Sequence, residues 1–163
     1  MSWLLWIGGG IVALCVAVVA IGWALPADHV ARVESVVADS PDNVAHRIRN
    51  VRNYAAWREV TIEVLSEEPG RVRYRETSGG DTMTIELGEA RGGWRFTTTI
   101  LDQDLPFNGS WTIDLAPEGE GTRVVIEERG RVKNPVFRFL SHFVFGHTST
   151  METYLAALAA ASG

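Results

Sequence analysis

The residues with chemistry to offer are four histidines and a few carboxylates in the phase of the core. The histidines are His29, His46, His142 and His147. Their spacing gives no metal-binding set: His142 and His147 would stand about 140° apart round a helix, too far for one ion. Cys15 is the one cysteine and lies in an apolar N-terminal run. One chain can therefore form neither a disulfide nor a cysteine-based metal site. No phosphate-binding glycine loop and no nucleophile elbow is present, and no cofactor is implied. His147 sits mid-stripe on an apolar helix face and reads two ways. It is a core histidine bonded to a strand, or a group that touches a ligand or moves a proton. Strand phase puts Glu76, Thr98 and Glu128 on the side of the apolar residues. A buried carboxylate needs a partner, so each glutamate either faces water at a strand end or is paired inside. One that points inward beside His147 would be a candidate acid or base. Tyr74 and Trp94 read as wall.

These residues are positioned by one helix and a set of strands. Asn134-Pro135 is a cap followed by proline at the first helical position. The stretch 134–161 contains no later proline and ends in an alanine-rich tail, which predicts one helix about 40 Å long at ~1.5 Å per residue. Val136, Leu140, Phe143, Val144, His147, Met151, Tyr154, Leu155 and Leu158 share a face, with Ala159 elsewhere. Ahead of it, His29–Ala38 reads as a strand. Ser40-Pro41-Asp42-Asn43 starts a short helix carrying Val44, Ile48 and Val51 on one side, and Tyr54–Trp57 is a further turn. Six runs then alternate apolar and polar residues between glycine and proline turns, from Val60 to Glu127. Consecutive antiparallel strands with one apolar face need a cover, which predicts a sheet wrapped round the long helix. Phe137, Phe139, Phe143 and Phe145 crowd the helix start. Beside a membrane anchor, such a start can lie on the bilayer surface.

Composition limits the partners. The net charge is −5, and every Asp, Glu, Lys and Arg lies beyond residue 27. A mildly acidic domain lacks the basic face that nucleic acid requires. Trp3–Leu25 is uncharged and roughly 35 Å long as a helix, enough to cross a hydrocarbon core. Trp3, Trp6 and Trp23 mark its ends as interfacial aromatics do, and Pro26 stops it. The run is too long and lacks the basic start of a cleaved signal. The expected division is a transmembrane anchor over 1–27 and a ligand-binding domain over 28–163. Arg32 on the C-terminal flank leans that domain toward the cytoplasm. Gly9, Ala13 and Ala17 read as ordinary small residues of a lone anchor or as a helix-packing stripe.

The order strand, two short helices, six strands and long helix resembles the START-like helix-grip superfamily (SRPBCC). That group includes lipid-transfer and polyketide cyclase/dehydrase-like proteins. Three pieces carry the resemblance: 38–44 as the strand exit into the first helix, Tyr54-Ala55-Ala56-Trp57 as the aromatic second turn, and 151–158 with Tyr154 as the helix end. Ala45 departs from it, since many members carry an aromatic there. The resemblance implies an α+β helix-grip fold, with an antiparallel curved sheet wrapped round the long C-terminal helix. It also implies a cavity that holds an apolar or amphipathic small molecule. The residues expected to line it are Tyr74, Trp94, Thr98, Trp111, Phe143, His147 and Met151. Three functions are then open: a membrane-anchored carrier, sensor or presenter; a cyclase or dehydratase using His147 with a carboxylate; or an interaction module with a filled core.

Overall fold

The structure, a computed structural model, describes residues 2–146 and 148–162; for Ser2, Leu4, Leu5 and Phe145 it describes the backbone alone. His147 therefore lies outside the described residues, and so does the side chain of Phe145. The apolar run folds as helix α1, Ser2–Ala24. Its stretch Trp6–Ala24 is long and apolar enough to cross a membrane, and only 6% of it is buried against the rest of the chain. Leu25 makes the last helical bond, to the Ile21 carbonyl at 3.1 Å. Pro26, which has no N–H to give, ends the helix.

Strand β1, Asp28–Val37, comes at once after it. Helix α2, Pro41–Arg49, starts where the cap signal places it: the Ser40 hydroxyl accepts from the Asn43 N–H, and Pro41 needs no partner at that position. A tight 3₁₀ turn, Val51–Ala56, brings Tyr54 inward, where its hydroxyl donates to the Ile48 carbonyl at 2.6 Å. Six strands complete the sheet: β2 Thr61–Glu68, β3 Arg71–Ser78, β4 Asp81–Glu89, β5 Arg95–Ile100, β6 Phe107–Glu118 and β7 Gly121–Val132. All pairings are antiparallel, in the order β1-β7-β6-β5-β4-β3-β2. Alternation decides the faces. In β3, Val72, Tyr74 and Glu76 point in while Arg71, Arg73 and Arg75 point out. The outward arginines meet carboxylates across the strands, Arg73 with Glu86 and Arg75 with Glu63. Exposed pairs of this kind contribute little each.

The sheet is gripped at one end. Phe96, Ile113, Val124 and Ile126 are fully buried there, with Val44, Ala45 and Ile48 of α2 in the same core. Ala45 thus fills its corner without an aromatic.

The C-terminal segment corrects the expectation of one continuous helix. It forms α3, Pro135–Leu140, a π turn, Ser141–Phe145, and α4, Ser149–Ala160. The cap is as read: the Asn134 side-chain oxygen accepts from the N–H groups of Val136 and Phe137. The break falls at Gly146, with φ 73° and ψ 168°, a region essentially reserved for glycine. The π turn adds residues to the turn and rotates the chain beyond it, so the predicted stripe splits. Met151, Tyr154, Leu155 and Leu158 are buried, whereas Val136, Phe143 and Val144 are exposed. Ala159, expected on the far side, is partly buried against the core. Helix α3 leans on α1 and touches the sheet at β7.

Candidate functional site

Because α3 leaves the sheet, part of the concave face is incompletely covered. Ile85, Thr98, Ile100, Trp111 and Glu128 are only half-buried, as is His29 of β1. Thr98, Trp111, Glu128 and Ala31 stand in one row across β5, β6, β7 and β1. The Trp111 indole donates to Glu128 at 2.8 Å, and the other Glu128 oxygen lies 3.0 Å from His29 Nε2. The His29 ring lies over Gly130, where a Cβ would come within 2.4 Å of it. A side chain at 130 would displace the ring, so the glycine is what lets His29 reach Glu128.

A second cluster adjoins this row. Arg58 comes just after the 3₁₀ turn, held by its N–H to the Tyr54 carbonyl at 2.8 Å. Its guanidinium makes two bonds to Glu76, at 2.8 and 2.7 Å. Glu76 is 5% exposed, so this is a buried, bidentate pair of the kind that needs both members. The same guanidinium lies 5.3, 5.9 and 5.1 Å from the ring centres of Tyr54, Trp57 and Tyr154. Edge-to-face contacts link Tyr74 to Tyr54, Tyr54 to Trp57, Trp57 to Tyr154, and Tyr154 to Trp111, with centroids 5.2–6.0 Å apart. An unbroken aromatic row thus runs from the Arg58–Glu76 pair to the Glu128–His29 pair.

Two donors in this row are unmatched. Trp57 Nε1 and the Tyr154 hydroxyl are buried and have no hydrogen-bond partner. The Tyr154 hydroxyl comes close to that of Tyr54, but the Tyr54 proton is committed to the Ile48 carbonyl and the two hydroxyls do not meet in hydrogen-bond geometry. Burial pushes the Tyr154 phenol up to about 12 and those of Tyr54 and Tyr74 well above their ordinary value. All three are neutral donors at physiological pH and cannot act as bases. Burial works against the Arg58 charge, but Glu76 more than offsets it and holds the guanidinium protonated. The chemistry left to this end is hydrogen bonding by neutral donors, plus whatever proton traffic Glu128 and His29 support.

The predicted site residues are brought together only in part. Tyr74, Thr98, Trp111 and Met151 belong to the concave side, with Tyr74 and Met151 buried. Trp94 does not join them. It is 38% exposed just before β5, and its indole donates to Asp42 of α2 at 2.9 Å. Phe143 is turned outward, 59% exposed, against the rings of Phe139 and His142. His147 lies outside the described residues, and the inward carboxylates have other partners, His29 and Arg58. Arg58 was missed by the sequence reading. Its signal was Glu76 itself: an inward glutamate demands a cation, and an arginine stands just past the aromatic turn.

Two open grooves are present elsewhere. One, of about 480 Å³, is lined by Asp28, His29, Val30, Asn108 and Arg129–Arg131. The other, of about 380 Å³, lies among Arg49, Glu67–Val72, Leu87, Glu89 and Phe96. Neither is the enclosed cavity expected from the sequence, for no predicted lining residue borders them. Among the described residues no three His, Cys, Asp or Glu gather as a metal-binding group.

The family model described as polyketide cyclase / dehydrase and lipid transport matches residues 28–163, and the chain belongs to that family. Solved structures share the fold. A protein of Thermus thermophilus is 23% identical with a TM-score of 0.69, over 83% of this chain and all (100%) of that one. The Zhui aromatase/cyclase from Streptomyces sp. R1128 is 16% identical with a TM-score of 0.69, over 83% of this chain and 93% of that one. A START superfamily protein from Mycobacterium smegmatis is 17% identical with a TM-score of 0.62, over 82% of this chain and 97% of that one. At these identities the likeness establishes the helix-grip fold. No curated protein sequence matches the chain.

Proposed function

We propose that this protein is a membrane-anchored binding module for an apolar or amphipathic molecule that carries a hydrogen-bond acceptor. The molecule would seat on the half-open part of the concave face, against Trp111, Thr98 and Tyr154. The observation that carries this reading is the pair of buried, unmatched donors, Trp57 Nε1 and the Tyr154 hydroxyl. Each unmatched buried donor costs about 1–3 kcal/mol, and an acceptor on a ligand would relieve that cost. Aromatic edges on either side suit an apolar body. The family, described as polyketide cyclase / dehydrase and lipid transport, agrees with this class of ligand. Residues 1–27 serve as the anchor and 28–163 as the binding domain, on the cytoplasmic side.

A second reading is favoured by one observation, the Glu128–His29 contact at 3.0 Å beside the same face. In a dehydratase one of these groups would take a proton from carbon while the other returned one to the departing hydroxyl, releasing water.

The experiment uses the full chain isolated without detergent in native lipid particles, with mass spectrometry of small molecules enriched over particles that lack it. A single enriched amphipathic class is expected, reduced several-fold in the Trp57→Phe, Tyr154→Phe double variant. Equal recovery from variant and wild type overturns the reading. Conversion of the recovered molecule by the wild type, lost in Glu128→Gln, would establish the enzyme instead.

A further inference from the structure

The first half of the C-terminal segment is built onto the anchor. Gly22 of α1 is buried against Pro135, and a Cβ there would come within 1.9 Å of the Pro135 carbonyl oxygen. Two helices approach this closely only where a side chain is missing. Arg138 then ties the two together. Its guanidinium lies 3.5 and 3.4 Å from the carbonyls of Gly22 and Leu25, at the end of α1, and donates to Val132 at 2.7 Å and Lys133 at 3.1 Å. The last carbonyls of a helix have no partner within it and form the negative end of its dipole. A guanidinium spanning them, β7 and α3 is therefore both a cap and a clamp. Strand β7 is fastened to the same corner, where the Val132 N–H donates to the Ala27 carbonyl at 2.9 Å.

On the segment held this way four apolar side chains face outward among the described residues. Val136, Phe137, Phe143 and Val144 are 37–60% exposed, and Trp23 on the adjoining turn of α1 is 70% exposed. Together they make an apolar surface continuous with the C-terminal end of α1. We infer that α3 and the π turn lie in the interface of the bilayer that α1 crosses, with Phe137, Phe143 and Val144 inserted among the lipids. The partner is a lipid surface because the patch is continuous with a span whose own environment is hydrocarbon. Apolar insertion supplies the attraction. The cations nearest the corner are already engaged, Arg129 with Glu127, Arg131 with Asp28, and Lys133 with the Gln103 carbonyl. Anionic lipid should therefore matter little. This arrangement turns the His29–Gly130 end of the concave face toward the bilayer, since β1 begins and β7 ends at that corner. A ligand could then pass between lipid and protein without crossing water. The inference rests on the anchor reading above.

Its test uses the full chain with Cys15→Ala, reconstituted in phosphatidylcholine vesicles. A polarity-sensitive fluorophore is placed at Phe143→Cys, Phe137→Cys, Val12→Cys or Thr77→Cys. Lipids carry a nitroxide on the headgroup, at the shallow acyl chain or near its end. An interfacial segment sits ~5–10 Å into the headgroup and acyl boundary. The labels at 143 and 137 should be quenched several-fold by shallow nitroxides, the label at 12 by the deep nitroxide, and the label at 77 by none. Quenching at 12 without quenching at 143 and 137 overturns the inference while the anchor stands. Absence of quenching at 12 as well removes the anchor, and the inference falls with it. Shallow quenching at 143 and 137 that is absent in phosphatidylcholine alone and emerges only when phosphatidylglycerol is added would overturn the apolar account of the attraction.

Discussion

The two halves of the C-terminal segment share an apolar helical spacing and meet opposite fates. Pro135–Phe145 and Ser149–Ala160 both carry apolar residues at helical spacing, yet only the second is buried in the sheet. Helix α4 inserts Met151, Tyr154, Leu155 and Leu158 into the core, while α3 packs mainly on α1 and leaves Phe137 exposed. An apolar stripe states that a face must be covered; it does not state by what. Here a long apolar helix precedes the domain and offers a second cover beside the sheet; the segment packs on α1 before the break at Gly146 and on the sheet after it.

The largest expected effect separates the halves directly. Leu158, 0% exposed, should lose about 2–5 kcal/mol of unfolding free energy on change to alanine. Phe143→Ala in the same detergent-solubilised protein should stay within about 0.5 kcal/mol. Urea unfolding followed by circular dichroism measures both, and equal losses would mean that the outer half is packed as well. The next effect concerns the boundary. Gly146→Ala should cost about 1–3 kcal/mol, because alanine is strained at that backbone angle. A gain in helix content and stability would mean instead that the segment prefers to run through as one helix.

The smallest effect concerns the unmatched hydroxyl. The native fold raises the Tyr154 phenol to about 12, so the folded state holds its proton more tightly than the unfolded state does. That contribution is complete below pH 10 and is lost between roughly pH 10 and 12. Tyr154→Phe should therefore flatten the alkaline fall in stability by about 1 kcal/mol at pH 11. At pH 7 it should be neutral or slightly stabilising, since no hydrogen bond is removed. A marked loss at pH 7 would reveal a partner for the hydroxyl.

Much of the fold was legible because its signals are local. The caps at Ser40 and Asn134, the glycine turns and the period of two in the strands each act within a few residues. The break at Gly146 was not, since a capped, proline-started helix precedes it, an alanine-rich tail that favours helix follows it, and glycine within a helix costs only about 1 kcal/mol. The site was less legible than the fold. Glu76 and Glu128 could be read as inward from strand phase, but their partners Arg58 and His29 are distant in sequence or on another strand. Trp94 shares the phase of the core and still faces out, because β5 begins only at Arg95 and the tryptophan meets α2 before the sheet is established.

Only Leu25–Ala27 separate α1 from β1, and Val132 and Arg138 fasten that junction from two sides. Three residues reach about 10 Å at full extension. Were Trp6–Ala24 to cross a bilayer as proposed above, the domain would have almost no leash: its height and tilt above the lipid would be fixed with the helix, and the two would diffuse in the membrane as one body. On the function proposed above, it would work at contact range, receiving its molecule from the leaflet beneath it and surrendering it to a neighbour in the same membrane or to one pressed within a domain's width.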